Sequence, residues 1–246
     1  MRPPTIGSVH SFDISTGVDG PGSRFVAFLA GCPLRCAYCH SPDTWYRRNG
    51  QPMSVDDLML EIERYRRFIH VAGGGVTISG GEPLQQTPFT REVLQRCHAL
   101  KLHTALDTSG FLGDRADDTL LDATDLVLLD VKSWDPDIYR RVTGTGDVRP
   151  TLRFARRLST RGMPMWIRFV VVPGLTDDPA NLAGLADFLT TLSTVERVEV
   201  LPFHKLGAHK YAQLGLPFPL ADNRVPSADE VDRVRQTFAV RGLVTC

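Results

Sequence analysis

Segments of strand length and segments of helical periodicity alternate about six times along this chain, and this alternation constrains the fold more than any other feature. Strand-like segments such as 76–79 and 126–129 are short, and stretches such as 54–69 carry apolar residues on one helical face. Strands that alternate with helices form a parallel sheet. Six such units in 246 residues predict a curled, partial (β/α)6 TIM-type barrel, with an open doubly wound sheet as the alternative.

The boundaries of these elements follow from turn residues and helix caps. Predicted strands cover about 7–13, 24–30, 76–79, 102–106, 126–132, 165–172 and 198–201. Predicted helices cover about 54–69, 88–100 and 116–123, helical segments fill about 135–160, and further helices open at Asp178 and at Ser227.

Composition narrows the class of protein. The 28 basic and 28 acidic residues balance, so the sequence does not predict binding to nucleic acid or to an anionic membrane. It has no run of 18 apolar residues and no apolar signal-peptide core at its beginning. We therefore expect a cytoplasmic protein made of a single domain, 1–246.

Three of the five cysteines lie within the segment 31–40, GCPLRCAYCH, with the spacing C-x3-C-x2-C. Cysteine thiolates hold iron–sulfur clusters, and a [4Fe–4S] cluster normally takes four of them. Three ligands would leave one iron open to a small molecule. A structural zinc site that adds His40 is one alternative. Chance clustering of core thiols is another.

Polar residues follow the predicted strands at their C-terminal ends, where parallel α/β folds place their chemistry. They are Gly80-Gly81-Glu82, Asp107-Thr108, Asp130, Lys132 and His204. The glycines would let a backbone approach a ligand closely, and the aspartates could hold a cation. Turn formation and helix capping are the alternatives, and for Lys132 a surface position.

Three further residues are candidates on their own. Arg168 interrupts an apolar strand and needs a partner if buried, which could be a ligand, Glu82 or Asp130. Tyr38 lies between two of the clustered cysteines and could cover a cluster or face an adenine. Asp19 belongs to the turn VDGPG, which by itself reads as a tight turn.

Longer motifs resemble one known family, the pyruvate formate-lyase-activating type of glycyl-radical enzyme activase within the radical S-adenosylmethionine superfamily. The resemblance runs from about residue 7 to the last helix. It is carried by HSFDISTGVDGPGSRFVAFLAGCPLRCAYCHSPDTW, GGGVTISGGEPL, LDTSGF, TDLVLLDVK, WIRFVVVPG and LPFHKLGAHKY. Two positions depart from the family pattern, Pro83 after Gly-Gly-Glu and Ser41 after the cysteine segment.

The resemblance implies a partial (β/α)6 barrel with a [4Fe–4S] cluster on Cys32, Cys36 and Cys39. S-adenosylmethionine would bind the fourth iron, and the matching site positions are Tyr38, Cys39, His40, Gly81, Asp130, Val131, Lys132 and His204. We add Arg168 to this set. A Na⁺ or K⁺ site would use Asp107, Thr108, Leu128 and Asp130. Asp19 would meet the substrate peptide.

The resemblance also implies an activity. The reduced cluster would cleave S-adenosylmethionine to methionine and a 5′-deoxyadenosyl radical, which takes a Cα hydrogen from a glycine of pyruvate formate-lyase. The electron would come from a flavodoxin or ferredoxin-type reductant, and the family suggests a monomer. Two rivals are a radical enzyme with another glycyl-radical or small-molecule substrate, and a zinc-stabilised binding module.

Overall fold

The computed structural model describes residues 3–144 and 146–246. The chain forms two compact units. The first comprises Met1–Pro33, Thr44–Thr108 and Asp114–Leu128, and the second comprises Leu34–Asp43, Ser109–Gly113 and Leu129–Cys246. A single domain over 1–246 stays a prediction.

Within the described residues, eight strands form one mixed sheet with the order β3-β1-β2-β4-β5-β6-β7-β8. The strands are β1 Ile6–Thr16, β2 Ser23–Leu29, β3 Gln51–Ser54, β4 Gly75–Gly80, β5 His103–Thr108, β6 Leu126–Asp130, β7 Met165–Val171 and β8 Val195–Pro202. The helices are α1 Val55–Val71, α2 Thr87–Ala99, α3 Asp118–Leu121, α4 Pro136–Thr143, α5 Arg149–Thr160, α6 Pro179–Thr190, α7 Ala208–Gln213 and α8 Ala228–Ala239.

The first unit departs from the wholly parallel sheet that the sequence predicts. β2 pairs parallel with β4, and β4 with β5, but β1 pairs antiparallel with both β2 and β3. The physical reason lies in the connection 17–22, which is too short for the crossover that parallel strands require. Strand β3 was missed because its four residues, QPMS, show no apolar alternation.

Most helix starts were predicted correctly because their caps are local. Ser54 and Asp57 form a capping box at the start of α1, as predicted. Asp178 caps α6, and Ser227 with Glu230 caps α8.

The helical stretch 135–160 of the second unit is two helices. Helix α4 ends at Gly144, whose φ of 68° is left-handed and favours glycine; Thr145 lies outside the described residues. Strands β7 and β8 pair parallel, as predicted, and α7 was not predicted. No helix in the described ranges is long and apolar enough to cross a bilayer.

Lys101 gives a stability prediction for the first unit. It follows α2 with a φ of 58°, a conformation that disfavours residues with a Cβ. Lys101→Gly should therefore raise the free energy of unfolding by about 1 kcal/mol, measured by urea denaturation. Lys101→Ala removes the same side chain but keeps the Cβ, and should give no gain. Equal stabilisation by both variants would show that backbone strain is not the cause.

Candidate functional site

The first part of the cysteine segment is fixed by backbone hydrogen bonds in the first unit. Gly31 donates to the carbonyl of Thr44 at 2.6 Å, and Cys32 to that of Trp45 at 3.0 Å. The backbone N–H of Glu82 donates to the carbonyl of Gly31 at 2.8 Å. The Gly-Gly-Glu motif therefore supports the start of the segment that carries Cys32.

The two glycines of this motif have a packing role. Gly80 has a φ of 111°, and a Cβ on it would lie 2.2 Å from the backbone nitrogen of Leu29. A Cβ on Gly81 would lie 2.4 Å from the carbonyl oxygen of Gly31. Both glycines thus allow close approach of backbone to backbone. Binding of S-adenosylmethionine by Gly81 stays a prediction.

Polar side chains at the ends of β4 and β5 are already hydrogen-bonded. The Ser79 hydroxyl donates to Asp107 at 2.6 Å, and the Thr108 hydroxyl donates to the buried Glu82 carboxylate at 2.7 Å. Leu128 is buried in β6. Asp107 and Thr108 do end β5, as predicted. Their role as cation ligands stays a prediction.

The rest of the cysteine segment is held within the second unit. The backbone N–H groups of Arg35 and Ala37 each donate at 2.7 Å to carbonyls of the last two residues of α4. The Tyr211 hydroxyl, from α7, donates to the carbonyl of Cys39 at 3.1 Å. Helices α4 and α7 therefore fix the backbone that carries Cys36 and Cys39.

All five cysteines are free thiols, which suits the three clustered ones to metal ligation. Cys36 is buried, and burial raises the pKa of its thiol to about 12, although the Lys132 cation opposes the shift. Within the described ranges, no group of three or more His, Cys, Asp or Glu side chains is arranged as a metal site. The ligand set Cys32, Cys36 and Cys39 stays a prediction.

Lys132 is not the exposed lysine that the alternative hypothesis describes. Its side chain is 11% exposed, and its ammonium lies 2.6 Å from the Asp130 carboxylate. Burial is the largest single influence and lowers the pKa of Lys132, but the charge and hydrogen bond of Asp130, together with Tyr38 and Cys36, outweigh it and raise that pKa well above its ordinary value. Lys132 is therefore a cation whose side chain has little exposure to solvent.

Tyr38 stands beside this ion pair. The Lys132 ammonium lies 5.5 Å from the centre of the Tyr38 ring, within cation–π range. The Tyr38 hydroxyl is buried and has no hydrogen-bond partner among the described residues. A buried polar atom without a partner is unusual in a native protein and is a candidate contact for a ligand.

Two histidines of the candidate site lie near each other in the second unit. The rings of His40 and His204 are 5.8 Å apart between centres. Burial, and then the neighbouring His204 and lysine charges, lower the pKa of His40, which favours the neutral ring. Val131, another predicted site residue, is buried, and its N–H donates to the carbonyl of Arg168 at 3.0 Å.

Arg168 has a partner that the sequence analysis did not consider. Its Nε donates to the Glu199 carboxylate at 3.0 Å, and both side chains are less than a tenth exposed. Glu199 also binds Arg197 at 2.8 Å. Residues 168 and 199 are paired in the register of β7 and β8, which no local pattern reveals. A contact between Arg168 and S-adenosylmethionine stays a prediction.

The structure adds one residue that supports the segment after Asp130 and Lys132. The buried Asn181 side chain accepts from the Ser133 hydroxyl at 2.7 Å and from the backbone N–H groups of Trp134 and Asp135 at 2.8 and 2.9 Å. The available signal was an asparagine on the apolar side of a predicted helix, three residues after its cap.

Comparison with known proteins decides the family. The radical SAM superfamily model matches residues 26–186. The pyruvate formate-lyase 1-activating enzyme of Escherichia coli K12 is 42% identical over 232 residues, covering 94% of each chain. The corresponding enzyme of Staphylococcus epidermidis is 44% identical and covers 91% of each chain. The chain belongs to the pyruvate formate-lyase-activating enzymes of the radical SAM superfamily.

Solved structures agree with this assignment. A domain of a pyruvate-formate lyase-activating enzyme from Bacteroides vulgatus matches with a TM-score of 0.59 and 26% identity, covering 70% of this chain and 98% of its own. A radical SAM methyltransferase from Sphaerobacter thermophilus matches with a TM-score of 0.66 over 95% of this chain, and 71% of its own, at 18% identity, which bears on the fold alone. The predicted partial barrel of the radical SAM type is confirmed.

Family membership bears on three of the sequence predictions, namely the type of enzyme and its two cofactors. It confirms that the chain is a radical SAM enzyme, and it implies S-adenosylmethionine and a [4Fe–4S] cluster as cofactors. The rival hypothesis of a zinc-stabilised binding module is therefore wrong.

Proposed function

We propose that this enzyme activates pyruvate formate-lyase by removing a Cα hydrogen atom from one of its glycines. Bound and reduced, the cluster and S-adenosylmethionine supply a one-electron cleavage of the C5′–S bond, giving methionine and a 5′-deoxyadenosyl radical that takes the hydrogen. The observation that carries the proposal is the similarity to activating enzymes over 94% of the chain, which includes the three clustered cysteines.

The donor chemistry of the chain suits these cofactors. Cys32, Cys36 and Cys39 are free thiols and would ligate three irons, which leaves the fourth to the amino and carboxylate groups of S-adenosylmethionine. The backbone supports described above hold the segment that carries them. Tyr38 would lie against the cosubstrate, since no described residue hydrogen-bonds to its buried hydroxyl.

Charge placement suits the zwitterionic end of S-adenosylmethionine. Lys132 would face its carboxylate, and the Asp130 carboxylate holds Lys132 protonated until the ligand arrives. The other proposed ligand contacts are His40, Gly81, Val131, Arg168 and His204. A Na⁺ or K⁺ ion would bind Asp107, Thr108, Leu128 and Asp130, since carboxylate, hydroxyl and carbonyl oxygens suit a hard cation.

The remaining proposals concern partners and setting. Asp19 would contact the peptide of pyruvate formate-lyase that contains the reactive glycine. That peptide must leave its own fold to reach the activase, so we expect an order–disorder step in the partner. A flavodoxin or ferredoxin-type protein would deliver the electron. We propose a monomer that acts in the cytoplasm as a single domain.

The test uses anaerobically reconstituted enzyme and pyruvate formate-lyase. Low-temperature EPR should show a [4Fe–4S]⁺ signal that changes when S-adenosylmethionine is added, because the cosubstrate binds the open iron. After addition of pyruvate formate-lyase, a glycyl radical signal should appear with 5′-deoxyadenosine in equal amount. The control omits S-adenosylmethionine.

Two results would contradict the proposal in different ways. Cleavage of S-adenosylmethionine without a radical on pyruvate formate-lyase would favour the rival with another substrate. Absence of any change in the cluster signal would refute the open-iron site itself.

A further inference from the structure

The turn between β1 and β2, residues 17–22, is tied to the sheet by two buried side chains of the first unit. The Thr77 hydroxyl donates to the carbonyl of Asp19 at 2.7 Å. The Arg24 guanidinium donates through Nη1 to the carbonyl of Pro21 at 3.2 Å. Arg24 Nε donates to the Thr77 hydroxyl at 2.6 Å, so the two anchors are linked.

Arg24 is completely buried, and each of its three guanidinium nitrogens donates a hydrogen bond. Beyond Thr77 and Pro21, Nη2 donates to the carbonyls of Val76 and His103 at 2.8 and 3.3 Å, and Nη1 lies 3.2 Å from His103 Nδ1. Burial lowers the pKa of Arg24 to about 10, with the charges of Asp19 and Asp125 opposing the shift. Arg24 therefore remains a cation at neutral pH.

Glycines bring the turn into direct contact with this support. Gly20 has a φ of 118°, and a Cβ there would lie 2.9 Å from Cδ of Arg24. A Cβ on Gly22 would lie 2.3 Å from the carbonyl oxygen of Gly73, and one on Gly74 only 1.6 Å from that of Ser23. Gly73 thus packs against the end of the turn, and Gly74 against the start of β2.

We propose that Arg24 and Thr77 are positioning residues that fix Asp19 for the glycine-bearing peptide of the partner. The inference rests on the proposed function and identifies what holds its peptide-binding turn. Burying a charge in the core costs free energy unless the charge is fully hydrogen-bonded. An apolar side chain could fill the space of Arg24 without that cost. Here one N–H of the guanidinium donates to the Pro21 carbonyl of the turn, and another donates to the Thr77 hydroxyl that holds the Asp19 carbonyl.

The consequence for binding is quantitative. A turn that adopts its competent conformation in a tenth of the molecules binds its partner about ten times more weakly. Loss of the Thr77 hydroxyl removes one hydrogen bond to the Asp19 carbonyl and one acceptor of Arg24 Nε, which disfavours that conformation. Binding of S-adenosylmethionine involves neither residue and should not change.

Thr77→Val is the decisive variant because valine keeps the size and shape of threonine. Thr77→Ser restores the hydroxyl and should rescue. The matched control is Thr104→Val, which also removes a fully buried hydroxyl from the first unit. That hydroxyl donates to Ala123 at 2.7 Å, outside the turn. Arg24 itself is not substituted, because its loss would leave a cavity and endanger folding.

Three measurements are made on each reconstituted variant: reductive cleavage of S-adenosylmethionine without partner, the pyruvate formate-lyase concentration that half-saturates radical formation, and hydrogen exchange over residues 17–23. Thr77→Val should raise the half-saturating concentration about tenfold. It should leave cosubstrate cleavage unchanged and speed exchange in the turn. Thr77→Ser and Thr104→Val should match the wild type in half-saturation and turn exchange.

Three outcomes would overturn the inference. Equal half-saturating concentrations for Thr77→Val and Thr104→Val would show that Thr77 acts only in folding. Loss of cosubstrate cleavage in Thr77→Val, in step with radical formation, would place its effect at the cofactors. A wild type that cleaves S-adenosylmethionine but forms no radical on pyruvate formate-lyase would refute the proposed function, and the inference with it.

Discussion

Alanine at Cys32, Cys36 or Cys39 is expected to abolish both cluster assembly and radical formation on pyruvate formate-lyase. Each thiolate holds one iron, and a cluster on two protein ligands exposes a second iron to solvent. Iron and sulfide analysis of anaerobically reconstituted protein should fall to background, and the EPR signal of the reduced cluster should disappear.

The chain contains its own controls for this experiment. Cys97→Ala and Cys246→Ser should keep a full cluster and normal cleavage of S-adenosylmethionine. Cys97 is buried in α2, where its sulfur lies 3.8 Å from that of Met59, and Cys246 is exposed at the end of the chain. A Cys36→Ala protein with a complete cluster, or a Cys97→Ala protein without one, would show that the ligand set is wrong.

The second large effect is expected on stability, from Glu199→Ala. This change removes the Glu199 carboxylate from the buried Arg168 guanidinium, and breaking a buried ion pair on one side destabilises a protein by about 3–5 kcal/mol. Urea denaturation followed by circular dichroism should show this loss in the free energy of unfolding. Arg197 also binds Glu199, but its side chain is partly exposed and can be hydrated when the carboxylate is removed.

Two further variants test the cause. Asp232→Ala removes the carboxylate of an exposed pair with Arg235 and should change stability by less than about 1 kcal/mol. The double variant Arg168→Met with Glu199→Leu should recover most of the loss, since no buried charge is then left alone. A double variant as unstable as Glu199→Ala would mean that packing, and not charge, explains the loss.

Local sequence patterns were sufficient where a short segment determines its own structure. The serine caps of α1 and α8 and the aspartate cap of α6 were predicted because a cap and its backbone partner are three residues apart or less. The cysteine spacing and the polar ends of the strands predicted the type of chemistry. These features also carry the resemblance that the family comparison confirmed.

Long-range pairing was decided by the tertiary structure. In the sequence, Arg24 is only the first residue of a predicted strand. In the structure it is buried, and its hydrogen-bond partners Val76, Thr77 and His103 lie more than 50 residues along the chain. Similarly, Arg168 pairs with Glu199 because β7 and β8 are neighbouring strands in a register that places these two residues side by side.

The same division explains Lys132 and the strand directions. The sequence left a surface position open as the alternative for Lys132, but the structure buries its side chain next to Asp130 and so fixes the position of its charge. The pattern of strands and helices determined the class of fold, because periodicity reports which face of each element is apolar. It did not determine that β1 runs antiparallel, since direction depends on the length of a turn and on which edge of the sheet the returning strand meets.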